Sequence, residues 1–177
     1  MSATMRSMEL VPFKQKHIRE ILSWIKSETD MIQWAGATFV WPLTQKQFRE
    51  HLKAARLEHP TLYPFALEKR GKIVGYCEIS DHRRRYNSAM LSRVIISARY
   101  RQKDLGKFMV KQAMQYAFGG LGLHRLGLGV YVSNKSAIRC YTKAGFVLEG
   151  TLRQVVKVGN LYWNYLRMSV LRKEWKC

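Results

Sequence analysis

The segment Arg101–Lys107, RQKDLGK, has residue types suited to binding phosphate. It follows an apolar run and precedes an amphipathic pattern typical of a helix. The first N–H groups of a helix have no partner within it, and the helix dipole adds partial positive charge there. From His82 to Lys111 the chain has nine Lys or Arg and one acidic residue. These features indicate either a phosphate-binding turn or an ordinary basic helix start.

The turn is not a P-loop, because Lys107 is not followed by Ser or Thr and no glycine stands five residues before Gly106. The glycines of GGLGLHR and GLGVYV do not complete a dinucleotide-binding pattern either. They are more typical of turns and small residues in a sheet. Any phosphate site here must therefore rest on the basic turn itself.

The charge of the chain is strongly positive, with 31 Lys and Arg against 12 Asp and Glu, a net charge of +19. Such a field attracts polyanions and repels polycations. It fits a nucleotide-bearing cofactor, RNA, a ribosome or an anionic membrane surface. A basic surface with no specific partner is the alternative that the charge alone leaves open.

Cysteine usage and hydropathy narrow the class of protein. Cys77, Cys140 and Cys177 are a sparse, odd set without a CxxC pair, as expected of reduced cytosolic thiols. No HExxH or Cys/His cluster is present, so we expect no metal site. The start of the chain has no apolar signal region, and no apolar stretch approaches the roughly 20 residues of a membrane span. The sequence predicts a cytoplasmic protein with one domain over residues 1–177 and no membrane partner.

Apolar spacing and turn residues divide the chain into alternating helices and strands. The predicted elements are a strand at 8–13, a helix at 14–27, an irregular segment at 28–43, a helix at 44–58, a hairpin at 62–80 turning at Arg70-Gly71, a strand at 88–97, a helix at about 105–118, a strand at 124–132, a helix at 134–146 capped by Asn134 and ended by Gly145, and strands at about 146–157 and 161–171 hinged at Gly159-Asn160. This order predicts a mixed α/β domain. The β-α-β unit over 88–132 should hold a parallel strand pair with a right-handed crossover.

Three stretches occur together in an ordered set: LSRVIISARYRQKDLGKFMV (91–110), LGLHRLGLGVYVSNKSAIRCYTKAGF (121–146) and VLEGTLRQ (147–154). The set resembles the GNAT acyl-CoA N-acyltransferase superfamily, in particular its Rim-type branch, which acetylates ribosomal-protein N-termini. The resemblance extends over about 62–172. It implies a single-domain GNAT fold of the α/β (α+β) class, with a mixed, mostly antiparallel sheet, a central splayed parallel pair and flanking helices. It also implies acetyl-CoA as the co-substrate.

The resemblance assigns roles residue by residue. The backbone of Val94, Ile95 and Ile96 would pair with the pantetheine arm of acetyl-CoA, in a V-shaped gap between this strand and LGLGVYV. Asn134 would touch the pantetheine side, Lys143 would join the cofactor contacts, and Tyr141 would protonate the departing thiolate. The pyrophosphate loop would comprise Arg101, Gln102, Lys103, Asp104, Leu105, Gly106 and Lys107.

Acetyl transfer requires residues of these types. A neutral amine attacks the thioester carbonyl, and an open backbone N–H on the splayed strand can stabilise the oxyanion. The leaving thiolate then needs a proton. A thiol has a pKa of about 8.5 and a phenol of about 10, so Tyr141 can act as a neutral acid at pH 7. The alternative for Tyr141 is a half-buried core aromatic on the apolar face of its helix.

Asp104 departs from the pattern of the family, because it stands where the phosphate loop has its first glycine. A carboxylate there could repel the pyrophosphate and crowd the backbone. We expect position 104 to be tolerated, since a helix N-terminal position has negative φ and accepts Asp well. Its side chain could also point away and pair with a neighbouring Lys or Arg.

The general base is a second departure. Some Rim-type enzymes carry a Glu five residues before the Asn, where this chain has Gly129. Others use a Ser three residues after the Asn and a Glu ten after the Phe, where this chain has Ala137 and Val156. The base could then be an ordered water or a carboxylate such as Glu78 on the neighbouring strand. The alternative for Glu78 is an exposed strand residue.

The missing base bears on the acceptor. An α-amine has a pKa near 7.7–8.0 and a lysine amine near 10.4, so a site without a strong base favours an α-amine or another weakly basic amine. The positive charge of the chain disfavours polyamines. We therefore expect a peptide or protein N-terminus, or an anionic or neutral small amine. Trp34 and Trp41 lie where this family shapes its acceptor pocket, or alternatively fill the core.

A second function class remains open at this point. A GNAT-like module with weak catalysis could bind RNA or the ribosome through its basic surface, including HRRRY (82–86). That stretch is equally typical of a solvated hairpin. A homodimer is also compatible with the sequence.

Overall fold

The computed structural model describes residues 8–101 and 104–176 of the 177-residue chain. Its strands and helices, in chain order, are β1 (Met8–Pro12), α1 (Ile18–Ser23), α2 (Glu28–Ala35), α3 (Gln45–His51), β2 (Tyr63–Lys69), β3 (Lys72–Arg83), β4 (Ser88–Ile96), α4 (Leu105–Gln115), β5 (Arg125–Tyr131), α5 (Lys135–Ala144), β6 (Val147–Val158) and β7 (Leu161–Leu171). A π-helical turn, Tyr116–Gly120, continues α4.

Side-chain caps fix the starts of three helices. Ser27, Thr44 and Asn134 precede α2, α3 and α5, and each side chain accepts a hydrogen bond from a backbone N–H in the first turn. Gly145 ends α5 with φ of 109°, a left-handed conformation that glycine adopts without steric cost. The cap and the stop predicted for α5 are therefore confirmed.

The seven strands form one sheet in the order β1-β2-β3-β4-β5-β7-β6, and every neighbouring pair except β4–β5 is antiparallel. The β4–β5 pair is parallel, as predicted from the β-α-β pattern. It is joined by four residue pairs, from Ser88–Arg125 to Leu91–Leu128. Beyond these pairs the two described strands separate, so the sheet opens between the second halves of β4 and β5.

The apolar residues form two cores, one on each side of the sheet. The larger packs α4 and α5 against the sheet and includes the fully buried Met109, Val110 and Phe118. The smaller lies under α1–α3 and includes Ile21 and Phe48. The open end of the β4–β5 pair therefore lies between α4 and α5 on one side of the sheet and α1–α3 on the other. No helix of the described residues is long and apolar enough to cross a membrane.

The predicted fold class is confirmed, with one element missed and several shortened. The segment 28–43 was expected to be irregular, but its first part is α2. The helix predicted at 14–27 is a 3₁₀ turn followed by the shorter α1. The hairpin turns at Arg70-Gly71 as predicted, with φ of 49° and 75° at the two residues.

Candidate functional site

The opening between β4 and β5 lies next to the start of α4. Arg93 has φ of +49° and sits in a β-bulge, where the β3–β4 register shifts between the pairs Glu78–Ser92 and Tyr76–Ile95. After the bulge, Ile95 and Ile96 pair with β3. A Cβ added at Gly106 would lie 3.4 Å from Cys140 Sγ and 4.0 Å from Ile96 Cγ1. The first turn of α4 therefore packs against both the end of β4 and α5.

The predicted cofactor strand lies at this opening. Val94, Ile95 and Ile96 are half-buried, on the stretch of β4 that has left β5. All of β5 pairs with β7, and beyond Leu128 its residues have no described pair on β4. The backbone edge of β4 that faces the opening therefore has no strand beside it in the described structure. The placement agrees with the expected geometry, and the contact with pantetheine stays a prediction.

The predicted phosphate turn is described in part. Gln102 and Lys103 lie outside the described residues. Arg101 is exposed, and its Nε donates a hydrogen bond to the Ile96 carbonyl at 3.2 Å. Leu105 is buried and begins α4. The turn thus joins the end of β4 directly to a helix N-terminus.

The expectation that Asp104 has a negative φ is wrong. Its φ is +52° and its ψ is 13°, in the left-handed region that favours glycine. The residue is exposed, and among the described residues its side chain makes neither a capping hydrogen bond nor an ion pair. Asp104 therefore adopts a backbone conformation that glycine favours, while it carries a charged side chain.

Two predicted cofactor lysines stand near Cys140, beside the first turn of α4. Burial and Asp104 raise the pKa of the Cys140 thiol, whereas Lys107 and Lys143 act in the opposite direction. Lys143 is exposed on the last turn of α5, and Lys107 is half-buried on the first turn of α4. Both lysines are therefore placed to meet an anion at this end of α4, and that role stays a prediction.

Tyr141 is buried on α5, where it packs edge-on against Phe146. Its hydroxyl forms no hydrogen bond with the described residues. Burial raises the pKa of this phenol, with smaller contributions from Cys140, Cys77 and Tyr165. The phenol is therefore protonated throughout the physiological range and has a proton to donate. Its placement fits both the predicted acid and the alternative of a core aromatic.

The side chain of Asn134 is used locally. Its Oδ1 accepts hydrogen bonds from the Ala137 N–H at 3.2 Å and from the Ser136 hydroxyl at 3.0 Å. This arrangement fixes the start of α5, four residues after Val130. The predicted contact of Asn134 with the cofactor would have to use the amide nitrogen, which no described residue engages, and it stays a prediction.

Glu78 is fully buried, so the alternative of an exposed strand residue is wrong. Its carboxylate accepts hydrogen bonds from Arg93 Nε at 2.6 Å, from the Tyr76 hydroxyl at 2.5 Å and from His51 Nε2 at 3.0 and 3.1 Å. Burial raises the pKa of Glu78, but the His51 hydrogen bond and the Arg93 charge outweigh burial and hold it below its usual range. A carboxylate with three donors and a lowered pKa is a poor proton acceptor. Glu78 as the general base stays a prediction, and the geometry favours a role for its carboxylate in positioning Arg93.

The position that lacks the familiar glutamate is filled by another side chain. A Cβ added at Gly129 would lie 1.7 Å from the Tyr165 hydroxyl and 1.8 Å from its Cζ. The Tyr165 ring, on β7, therefore passes directly over Gly129 and packs edge-on against Tyr131. Position 129 excludes any larger residue while Tyr165 stays in place, and the phenol of Tyr165 takes the space of the missing side chain.

A cavity of about 400 Å³ lies on the side of the opening that faces α2. It is lined by the end of α2 and the following turn, the bulge of β4, the end of β5, and residues of β6 and β7, among them Trp34, Thr38, Arg93, Tyr131 and Tyr165. Trp34 packs against Phe39 as well, so it serves both the pocket and the core. Trp41 is 38% exposed and does not line this cavity. Only the first of the two tryptophans is thus placed at the candidate acceptor pocket.

The basic stretch HRRRY forms the end of β3 and a 3₁₀ turn before β4. Arg83 pairs with Asp81, and Arg84 donates a hydrogen bond to the Pro60 carbonyl at 2.8 Å. These contacts fit the solvated-hairpin alternative. Binding to RNA or the ribosome stays a prediction that rests on the net charge.

Among residues 8–101 and 104–176, no group of three or more His, Cys, Asp or Glu side chains is placed to hold a metal ion.

Comparison with known proteins connects this geometry to a family. The model of the Acetyltransferase (GNAT) family matches residues 28–146. Spermidine N(1)-acetyltransferase of Escherichia coli is 32% identical over 111 residues, which cover 63% of this chain and 59% of that protein. The putative ribosomal protein bS18-alanine N-acetyltransferase of Bacillus subtilis is 30% identical over 110 residues, covering 62% of this chain and 68% of that protein. The match to the Escherichia coli protein thus spans about three fifths of its length.

Solved structures show the same fold over nearly the whole chain. Spermidine N-acetyltransferase from Vibrio cholerae, in complex with CoA and spermine, superposes with a TM-score of 0.84 over 96% of this chain and 98% of that chain. The two sequences are 22% identical. At this identity the likeness establishes the fold.

Proposed function

The chain belongs to the acetyltransferase (GNAT) family, and from that premise we propose that it transfers the acetyl group of acetyl-CoA to a primary amine. Members of the family use acetyl-CoA as co-substrate. The observation that carries the proposal is the family match over residues 28–146, which includes the opening of the sheet, the first turn of α4 and Tyr141. We also propose that the chain belongs to the Rim-type branch of the family. It is supported by the motif set and by the ribosomal-protein relative, whereas other relatives act on spermidine.

In the proposed reaction the opening between β4 and β5 receives the pantetheine arm along Val94–Ile96. The N-terminus of α4, with Arg101, Lys107 and Lys143, faces the pyrophosphate. An unpaired backbone N–H of β4 stabilises the oxyanion when the amine attacks the thioester. These roles need no side chain beyond those that the fold already places at the opening.

Tyr141 donates the proton that the leaving thiolate takes up. An ordinary phenol is less acidic than an ordinary thiol, so transfer to a thiolate is uphill in water. Burial raises the pKa of a thiol as well as that of a phenol, so it does not by itself remove this difference. Cys77, buried close to Tyr141, has a thiol pKa raised chiefly by burial. A thiolate released beside Tyr141 is therefore more basic than in water, while the raised pKa of Tyr141 makes the phenol a weaker acid, so burial alone does not make the transfer easier.

Among the described residues that line the cavity, none is a strong base that could receive the proton of the amine. Glu78 is engaged by three donors, and Gly129 has no side chain. Water in the cavity is then the acceptor that the geometry leaves. An amine with an appreciable neutral fraction at pH 7 suits such a site best, which favours an α-amine of a peptide or protein N-terminus, or a weakly basic small amine.

The test is to follow thiol release from acetyl-CoA by the purified protein with a panel of peptides and small amines. Replacing Tyr141 by Phe removes only the hydroxyl, which has no protein partner among the described residues, so stability should change little. We expect kcat to fall by about 100-fold, the lower end for loss of a general acid. The matched control is Tyr162→Phe, at an exposed tyrosine of β7.

Two outcomes would count against the proposal in different ways. If acetyl-CoA neither binds nor raises the unfolding temperature, the proposed enzyme activity is wrong. If Tyr141→Phe retains the kcat of Tyr162→Phe while acetyl transfer proceeds, the activity stands and Tyr141 is a core aromatic.

A further inference from the structure

Arg93 is the only residue with a formal charge among those that line the cavity beside α2, and none of them is Asp or Glu. All these lining residues belong to the described part of the chain. The undescribed positions 1–7, 102–103 and 177 contain no Asp or Glu side chain either. The cavity therefore presents a guanidinium, hydroxyls, an amide and aromatic rings to a bound molecule.

Arg93 is held from three directions. Its Nε donates to Glu78 on β3 at 2.6 Å, and its Nη1 donates to the Thr38 hydroxyl at 3.2 Å. Its carbonyl accepts a hydrogen bond of 2.8 Å from Trp34 Nε1 on α2. The left-handed backbone at Arg93 costs on the order of 1–2 kcal/mol for a residue with a side chain. These contacts stabilise that conformation and fix the direction of the side chain.

Part of the guanidinium remains available. An arginine has five N–H donors, and the described residues engage two of those of Arg93. Glu78 lies behind Arg93 and is fully buried, whereas the Arg93 side chain is 12% exposed. A molecule that enters the cavity therefore meets the guanidinium and not the carboxylate that balances its charge.

We propose that Arg93 binds a carboxylate or another anionic group of the acceptor, so that the preferred substrate is an amine carrying its own negative charge. This inference rests on the proposed acetyl transfer. The free N–H groups suit the planar, two-oxygen geometry of a carboxylate. A polyamine would instead bring ammonium groups to a guanidinium, with no carboxylate in the cavity lining to receive them.

The test compares acceptors that differ in one charge. Dipeptides with a free C-terminal carboxylate are measured against the same dipeptides as C-terminal amides, with spermidine as the polycation. A charge-assisted hydrogen bond gives about a tenfold difference in affinity or more. We expect kcat/KM to be at least about tenfold higher for the acids than for the amides, and spermidine to be poorer than either.

The variants separate charge from folding. Arg93→Gln alone leaves the buried Glu78 without a counter-charge, so it is combined with Glu78→Gln to give a neutral hydrogen-bonded pair. We expect the acid-to-amide ratio to fall to about one in this double variant. In Arg93→Lys, which keeps the charge but loses the planar fork, the ratio should be intermediate. The ratio within one variant cancels any loss of activity common to both acceptors.

Equal kcat/KM for acids and amides in the wild type, or faster turnover of spermidine, would overturn the inference. So would an acid preference that survives in the double variant. If no amine releases thiol, the proposed function fails instead. Binding of the carboxylate to Arg93 is then tested by the unfolding temperature of the CoA complex. The acid should raise this temperature more than its amide does in the wild type, and the two should have equal effects in the double variant.

Discussion

Replacing Gly129 with alanine would place a methyl group inside the ring of Tyr165. The added Cβ would lie 1.7, 1.8 and 2.2 Å from the hydroxyl oxygen, Cζ and Cε1 of that ring. Carbon atoms in contact are separated by about 3.5–4.0 Å, so the ring must move by about 2 Å. The prediction is that Gly129→Ala destabilises the protein, and that the loss depends entirely on Tyr165.

The expected loss of unfolding free energy is the sum of the contacts and the rotamer that the Tyr165 ring loses. Moving Tyr165 off its rotamer costs about 1 kcal/mol. Losing its edge-to-face contact with Tyr131, whose ring centroid is 5.2 Å away, costs about 1 kcal/mol more. Alanine in a strand recovers about 0.5 kcal/mol relative to glycine. The net loss of unfolding free energy is about 1.5 kcal/mol, or about 4 °C in Tm for a chain of this length.

A double-mutant cycle isolates the contact. In a Tyr165→Ala background the obstacle is gone, and Gly129→Ala should become neutral or stabilising by about 0.5 kcal/mol, a coupling of about 2 kcal/mol. The matched control is Gly150→Ala on β6, where an added Cβ meets nothing within 4 Å. Urea unfolding with unchanged m-values provides the free energies. The reasoning fails if Gly129→Ala behaves like Gly150→Ala, or if its cost is the same in both backgrounds.

Two further predictions concern Asp104 and Glu78. Asp104→Gly removes the strain of the left-handed backbone and a carboxylate at the start of α4. We expect the free energy of unfolding to change by less than about 1 kcal/mol. We expect CoA to bind about threefold more tightly at low salt, with a smaller gain in affinity at high salt. Asp81→Gly is the control for calorimetric Kd values, since Asp81 also has a left-handed φ, of 50°; equal effects in the two variants, or weaker binding in Asp104→Gly, would contradict the prediction. Glu78→Gln leaves the charge of Arg93 without its partner and should cost about 3 kcal/mol at pH 7. Because the folded-state pKa of Glu78 is lowered, its contribution is present above the unfolded pKa and is lost as pH falls through the folded value. Urea unfolding should therefore show the wild-type advantage shrinking at acidic pH, and an equal difference at pH 7 and at pH 3 would refute this reasoning.

The sequence was sufficient for most elements because their signals are local. The parallel β4–β5 pair followed from an apolar strand, a helix and a second apolar strand. The start of α5 followed from Asn134, and the β2–β3 turn from Gly71. α2, with eight residues, was missed because the segment 28–43 also holds Gly36 and Pro42, which are typical of irregular structure. Ser27 and Asp30, which cap its first turn, were the available sign.

The site was harder to predict because its contacts join distant parts of the chain. Arg93 interrupts an apolar strand, and Glu78 interrupts the neighbouring one, so opposite charges in adjacent strands could have suggested a buried pair. The backbone at Asp104 was predicted with the wrong sign of φ, because the residue just before α4 was expected to be helical and is left-handed instead. The position of Tyr165 over Gly129 depends on β7 pairing with β5, which no local pattern of either strand specifies.

In the described residues, the strand pairing between the two parts of the sheet consists of the four residue pairs between β4 and β5. On one side are β1–β4, and on the other β5–β7, each joined by antiparallel pairing. Amide hydrogens of β4 that face the opening exchange readily with solvent when nothing lies beside them. A long ligand that carries its own amide groups and lies in the opening acts as a missing strand, so that the two halves resist unfolding together. We therefore expect binding in the opening and folding cooperativity to be coupled through the same short stretch of backbone.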